Sequence, residues 1–260
     1  MILQIIRLRT RWLGAIIKPG LVTMKKTQKY LVAYLDLLGT KHQIETDDNC
    51  DLLNIVSSCY ENVIRTLSTI MPISGIEDCK IKVFSDNIIV AIPSDTTQRD
   101  DHHPIIALNR IGPAVRYLQR EFLNKKILIR GGVTYGQLYI DDVFVWGKAL
   151  IDAYSLESTI AKYPRIVIDQ SIVELKGLVL FDDQSLDFLS INKIKKDYDG
   201  EFFFDYLNYP RDVKTRALID SSLDDINMRI ESETKKDVLE KYIWHRNYLL
   251  SCNNVSEISE

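Results

Sequence analysis

Residues 81–91 read IKVFSDNIIVA. Two apolar runs rich in β-branched residues, 81–84 and 88–91, flank the polar triplet Ser85-Asp86-Asn87. Runs of this kind, broken by a Ser/Asp/Asn turn, predict a tight β-hairpin with Asp86 at its tip, at the edge of a buried sheet. Working outward, a second acid has a similar place. Asp36 lies near the end of the apolar run YLVAYLDLLG, shortly before Gly39. A single Asp at a turn is ordinarily just a solvated turn residue. Two carboxylates at adjacent strand ends offer hard oxygen donors suited to a divalent metal and a phosphate.

The chain around these acids has 260 residues, 46% hydrophobic and 27% charged. That suits one large globular domain, or a domain with an appendage, able to bury its own core. A formal net charge of −3 excludes a global basic field for recruiting nucleic acid or anionic membrane. A nucleotide bringing its own metal remains a compatible ligand. Cys50, Cys59, Cys79 and Cys252 lack metal-ligand spacing and read as reduced thiols in a cytoplasmic protein. Residues 1–27 form an apolar, basic extension whose longest uncharged run is far short of a membrane span. It also lacks a signal-peptide core and cleavage site, so no stable membrane insertion is expected. Two readings stand for it: translation beginning at Met24, or an amphipathic segment lying on a membrane surface.

Residues 30–35 predict a central strand covered on both faces. Asp51 is the expected N-cap of a helix running to about Leu67, with Leu52, Ile55, Val56, Cys59, Val63 and Leu67 on one face. After the hairpin, 93–104 is polar, and its run Asp100-Asp101-His102-His103 reads as an exposed loop. A helix follows over 105–124, kinked or restarted at Pro113. A strand begins at 127–129 and leads into Arg130-Gly131-Gly132-Val133-Thr134-Tyr135-Gly136. Paired glycines in a strand mark a bulge or a close backbone approach. Gly147 opens a helix that Pro164 ends. Further strands are expected at 165–168, 178–181 and 200–207, then helices at 213–230 and 236–250. The order implies an α/β (α+β) fold: a ferredoxin-like βαββαβ core extended by further strands. The expected division is 28–209 as the main domain and 210–260 as a C-terminal helical extension. There is no internal repeat, P-loop, Rossmann glycine motif or Ser-His-Asp arrangement.

Several segments, in order from Tyr30 to Leu207, resemble the catalytic domain of class III nucleotidyl cyclases. Leu35-Asp36-Leu37-Leu38-Gly39-Thr40 is similar to that family's first strand end, with Thr40 in place of an aromatic. Lys82-Val83-Phe84-Ser85-Asp86 is similar to its hairpin, with Ser85 in place of the usual Gly. The segments 129–136, 145–149, 156–158 and 193–207 resemble its glycine-bearing strand, the following strand and helix, and a late lysine-rich loop and strand. Five short fragments in register are harder to obtain by chance than any one of them.

The resemblance implies a cyclase holding two Mg²⁺ or Mn²⁺ ions through Asp36, Asp86 and the Leu37 carbonyl. It also implies a homodimer with active sites at the interface. Family purine cyclases read the base with the hairpin Lys and a later Asp. Here Lys82 is present, but Phe144 stands at the Asp position. Ile151 and Ser155 stand where the family's catalytic helix offers Asn and Arg. Expected replacement cations are Arg165 and, in the late loop, Lys193, Lys195 or Lys196. Asp152 and Tyr154 are candidates for hydrogen bonds to ribose or base. The missing Asp and the lack of receptor modules look most like the bacterial Pycsar pyrimidine cyclases. That likeness implies UTP or CTP as substrate, a role in antiphage defence and a cyclic-nucleotide-responsive effector downstream. An adenylate or guanylate cyclase and an inactive nucleotide-binding module are the alternatives.

Overall fold

The computed structural model describes residues 24–70, 79–94, 103–174, 193–208 and 213–254. Residues 1–23, most of the polar 93–104 loop and the strand expected at 178–181 lie outside them. The elements, in order, are β1 (Gln28–Leu38), α1 (Lys41–Glu45), α2 (Asp51–Ile70), β2 (Lys80–Phe84) and β3 (Asn87–Pro93). Then come α3 (His103–Leu123), β4 (Leu128–Ile140), β5 (Val145–Trp146), α4 (Lys148–Thr159), β6 (Ile166–Ile168) and α5 (Gln170–Val173). The last are β7 (Ile194–Lys196), β8 (Phe202–Phe204), α6 (Val213–Ser232) and α7 (Lys236–Asn254).

Among the described residues the sheet runs β2-β3-β1-β4-β6-β8-β7, with β5 paired to β4. The first four strands are antiparallel throughout, in the order a βαββαβ core requires. Beyond them, β6 adds parallel to β4, and β8 and β7 add as an antiparallel pair. The expected mixed sheet backed by helices is therefore what forms.

β1 explains why the sheet is covered on both faces. Alternate residues of a strand point to opposite sides. Leu31, Ala33, Leu35 and Leu37 enter a core with Cys59 and Val63 of α2 and Leu108, Ile111, Val115, Leu118 and Phe122 of α3. Tyr30, Val32 and Tyr34 enter a second core with Ala149 and Ala153 of α4. Asp36 has the parity of Tyr34, which puts it on the α4 side. A third core joins Leu123, Leu128 and Phe203 to Leu218, Ile219 and Ile226 of α6 and Trp244, Tyr248 and Leu249 of α7.

The paired glycines make a close approach rather than a bulge, since the β1–β4 register is unbroken through both. A Cβ on Gly131 would lie 2.6 Å from Leu35 Cδ2, and one on Gly132 would lie 2.6 Å from the Ala153 carbonyl oxygen. Two other expectations change. The first turn of α2 is capped by Asp47, whose carboxylate accepts from the backbone N–H groups of Leu52 and Leu53, each at 3.0 Å. Asp51 instead lies within that turn. Residues 194–196, expected as a lysine-rich loop, form the edge strand β7. Lysines on an edge strand block pairing with other chains, which is why the strand carries no apolar signature.

Candidate active site

Asp36 and Asp86 meet because two pairings fix them. Asp36 lies directly opposite Asn87 in the β1–β3 ladder, and the Leu37 N–H donates to the Asp86 carbonyl at 3.0 Å. The hairpin turn preceding Asn87 brings Asp86 to the end of β1. Ser85 enables that turn with φ of 55°, a left-handed conformation that favours glycine. The Asn87 amide donates to Asp86 Oδ1 at 2.9 Å and accepts from the Tyr34 hydroxyl at 2.6 Å. Thr40, buried where the family pattern has an aromatic, donates its hydroxyl to the Leu37 carbonyl at 2.8 Å.

The Asp36 carboxyl is pushed above its ordinary range, first by burial. Arg130 pulls it down, and the neighbouring Asp86 charge pushes it further up. Arg130 stands opposite Asp36 in the β1–β4 ladder and donates Nε–H to Asp36 Oδ2 at 3.0 Å. Glu157 of α4, only 3% exposed, places Oε1 2.7 Å from the same nitrogen. Burial also raises the Glu157 carboxyl. Tyr34, beneath these acids, is pushed up to about 12, with burial the largest cause and Glu157, Asp36 and Asp86 adding to it.

This donor set fits a hard divalent cation. Two carboxylates and the Leu37 carbonyl supply only oxygens, and like charges at one place call for a cation between them. Among the described residues no group of three or more His, Cys, Asp or Glu forms a fuller cage.

Lys82 lies on β2 and donates Nζ–H to the Asp142 carbonyl at 3.0 Å. It is thereby brought to the β4–β5 turn that carries Phe144, whose ring is 54% exposed. Asp152 lies on α4 and is engaged by Lys148 one turn earlier, at 2.5 Å. Lys193 lies just before β7 and donates to Asn208 Oδ1 at 2.8 Å. Four strand spacings separate β7 from β1 in the sheet order, roughly 19 Å, so Lys193 does not share Asp36's end of the sheet within one chain.

Arg165 requires a correction. Its side chain is fully buried, paired with both Asp197 and Asp199 of the β7–β8 turn. The rings of Tyr163, Phe203 and Trp244 surround it, and Trp244 Nε1 donates to Asp197 at 2.8 Å. A guanidinium so enclosed fastens α7 to the sheet and has no free face for a phosphate. The cation that stands beside the acids is Arg130. In the sequence, Arg130 and Glu157 stand only as parts of the segments 129–136 and 156–158. The signal for Arg130 was its place next to Gly131-Gly132, in the strand that pairs with the one carrying Asp36.

No protein-family model matches the sequence, and no curated protein matches it. Among solved structures, the chain is similar to the adenylyl cyclase CyaB from P. aeruginosa. The identity is 18% over 58% of this chain and 82% of that one, with a TM-score of 0.39. It is similar to the monomeric guanylyl cyclase domain of the RhoGC fusion protein from Blastocladiella emersonii, at 15% identity over 69% and 95% of the chains and a TM-score of 0.45. It is also similar to a class III adenylyl cyclase-like ATP-binding protein from Pseudomonas aeruginosa, at 13% identity over 61% and 39% and a TM-score of 0.42.

Proposed function

We propose that the protein is a metal-dependent nucleotide cyclase that converts a pyrimidine nucleoside triphosphate, UTP or CTP, to its 3′,5′-cyclic monophosphate and pyrophosphate. The observation that carries the reading is the meeting of Asp36 and Asp86 at one end of the β1–β3 pair, with the Leu37 carbonyl between them in sequence. Asp36, Asp86 and Leu37 would hold Mg²⁺ or Mn²⁺. When bound, the ions supply the charge that eases deprotonation of the ribose 3′-hydroxyl and neutralises the triphosphate. The chain's own part is to position and to provide fixed charge. Lys82 and the Phe144 turn form the side on which a base would rest. Phe144 offers no acceptor where purine cyclases of the resembled family carry an Asp, and this departure from the purine pattern is what the pyrimidine reading rests on.

The dimer reading has support of its own. Ile151 and Tyr154, three residues apart on α4, are 64% and 52% exposed, and Trp146 just before α4 is 75% exposed. Tyr154 meets Tyr34 edge-on, and Tyr34 contacts Phe84 of the hairpin. This apolar surface adjoins the acids and suits a second copy. No helix among the described residues is long and apolar enough to cross a membrane. We place the enzyme in the cytoplasm, as a second-messenger synthase in antiphage defence that signals to a cyclic-nucleotide-responsive effector.

The test is to incubate the purified chain with each of the four nucleoside triphosphates separately, with Mn²⁺, and to identify products by mass spectrometry. Cyclic UMP or cyclic CMP is expected. Cyclic AMP or cyclic GMP would establish the purine reading, which Lys82 favours. Nucleotide binding without a cyclic product would establish the inactive module, which the exposed Ile151 and Ser155 favour.

A further inference from the structure

Arg130 is shared between two carboxylates in an unequal way. Its Nε–H can aim at one acceptor, and it aims at Asp36 Oδ2. Glu157 Oε1 is nearer to the nitrogen, at 2.7 Å, yet no hydrogen bond reaches that buried oxygen. A buried carboxylate oxygen with a cation beside it and no donor aimed at it is costly. Glu157 is also held firmly in place. Its helix lies against the bare backbone of Gly132, where a Cβ would come within 3.0 Å of the Glu157 nitrogen. The donor can therefore move to Glu157 by a small turn of the guanidinium, with no shift of α4.

We propose that Arg130 is an internal counter-cation shared by Asp36 and Glu157: it pairs with Asp36 and turns to Glu157 when a divalent ion binds Asp36. Glu157 is then a positioning residue that acts on the metal site through Arg130. The inference rests on the metal-site reading above and adds to it an order of events and a residue outside the ligand set. It follows that Glu157 contributes more to metal affinity than its charge at a distance would, because without that charge Arg130 has no second carboxylate to pair with.

The experiment titrates Mn²⁺ into the full chain without nucleotide and reads free Mn²⁺ by electron paramagnetic resonance. Melting curves in EDTA confirm that each variant is folded. Asp36→Asn should abolish tight binding. Glu157→Gln should weaken binding roughly tenfold or more, as loss of an outer partner of a metal site does. In an Arg130→Met background the same Glu157→Gln change should have less than about a twofold effect. Arg130→Gln, which keeps a donor but loses the charge, serves as the background if Arg130→Met does not fold. Equal effects of Glu157→Gln in both backgrounds would reduce Glu157 to a distant charge and overturn the proposal. Unchanged binding in Asp36→Asn would instead overturn the metal-site reading itself.

Discussion

Asp36 is a carboxylate kept where ionisation is unfavourable. Burial raises the pKa of Asp36 and of Glu157 above the values of 3.8 and 4.5 expected in an unfolded chain. An acid with a raised folded-state pKa favours folding fully below its unfolded value, and that contribution is lost as pH rises through the folded value. Both groups therefore oppose folding at neutral pH. Asp36→Asn should melt at or above the wild-type temperature at pH 7.5, with the advantage shrinking toward pH 5. It should meanwhile lose activity by roughly 10²–10³, as expected when an organised charge at the reacting centre is removed. Scanning calorimetry across pH, beside a turnover assay, checks both halves. Ser85 is a second residue under strain. A left-handed non-glycine costs roughly 1–2 kcal/mol, and glycine's extra unfolded-state entropy returns about 0.5–1. Ser85→Gly should stabilise the chain by about 0.5–1 kcal/mol in urea denaturation. At this scale the place of the two acids at adjacent strand ends was legible in the sequence, because each interrupts an apolar run. Arg165 was misread because sequence displays a charge but not its burial.

At the scale of elements, β4 and α4 are set by two missing side chains. Gly131 admits β1 and Gly132 admits α4. Gly132→Ala would drive a methyl group into the Ala153 carbonyl and Leu156, and overpacking of this kind costs about 1–3 kcal/mol. Because Glu157 N is also within 3.0 Å, the variant should weaken Mn²⁺ binding as well as lower the melting temperature. Helices α2, α3, α6 and α7 were visible in the sequence, their bounds shifted by a few residues, because each carries apolar residues at helical spacing. β7 was not visible, because it is three residues long and, among the described residues, pairs only with β8, where lysine serves better than valine. The cap of α2 was misplaced by a few residues. The chain loops back from Asp47 through Cys50, which has a positive φ of 60°, and a capping carboxylate need not adjoin its helix.

For the whole molecule, the buried Arg165 joins parts far apart in sequence. Its carboxylate partners lie in the β7–β8 turn, and its aromatic surround includes Trp244 of α7. Removing one member of a buried ion pair costs about 3–5 kcal/mol. Arg165→Met should therefore lower stability by that order in urea denaturation, and where still folded it should bind Mn²⁺ as the wild type does. A phosphate-binding arginine would show the opposite pattern. The exposed face of α4 predicts self-association. Ile151→Asp with Tyr154→Glu should convert a dimer to a monomer in light scattering, while circular dichroism stays unchanged. The βαββαβ order was legible because every strand in it is apolar, and the C-terminal helices were legible as helices. Their shared core with Leu128 and Phe203 was not, since nothing in a helical stripe names the surface it meets.

β1 has one more consequence, which arises while the chain is being made. It is the central strand, yet its neighbours β3 and β4 come much later in sequence. At a synthesis rate of roughly 5–20 residues per second, several seconds pass before β3 emerges, and several more before β4. Throughout that interval a continuous run of Leu, Val, Ala and Tyr has no lasting partner. The nascent chain thus presents the heart of its future sheet to the ribosome surface and to holding chaperones.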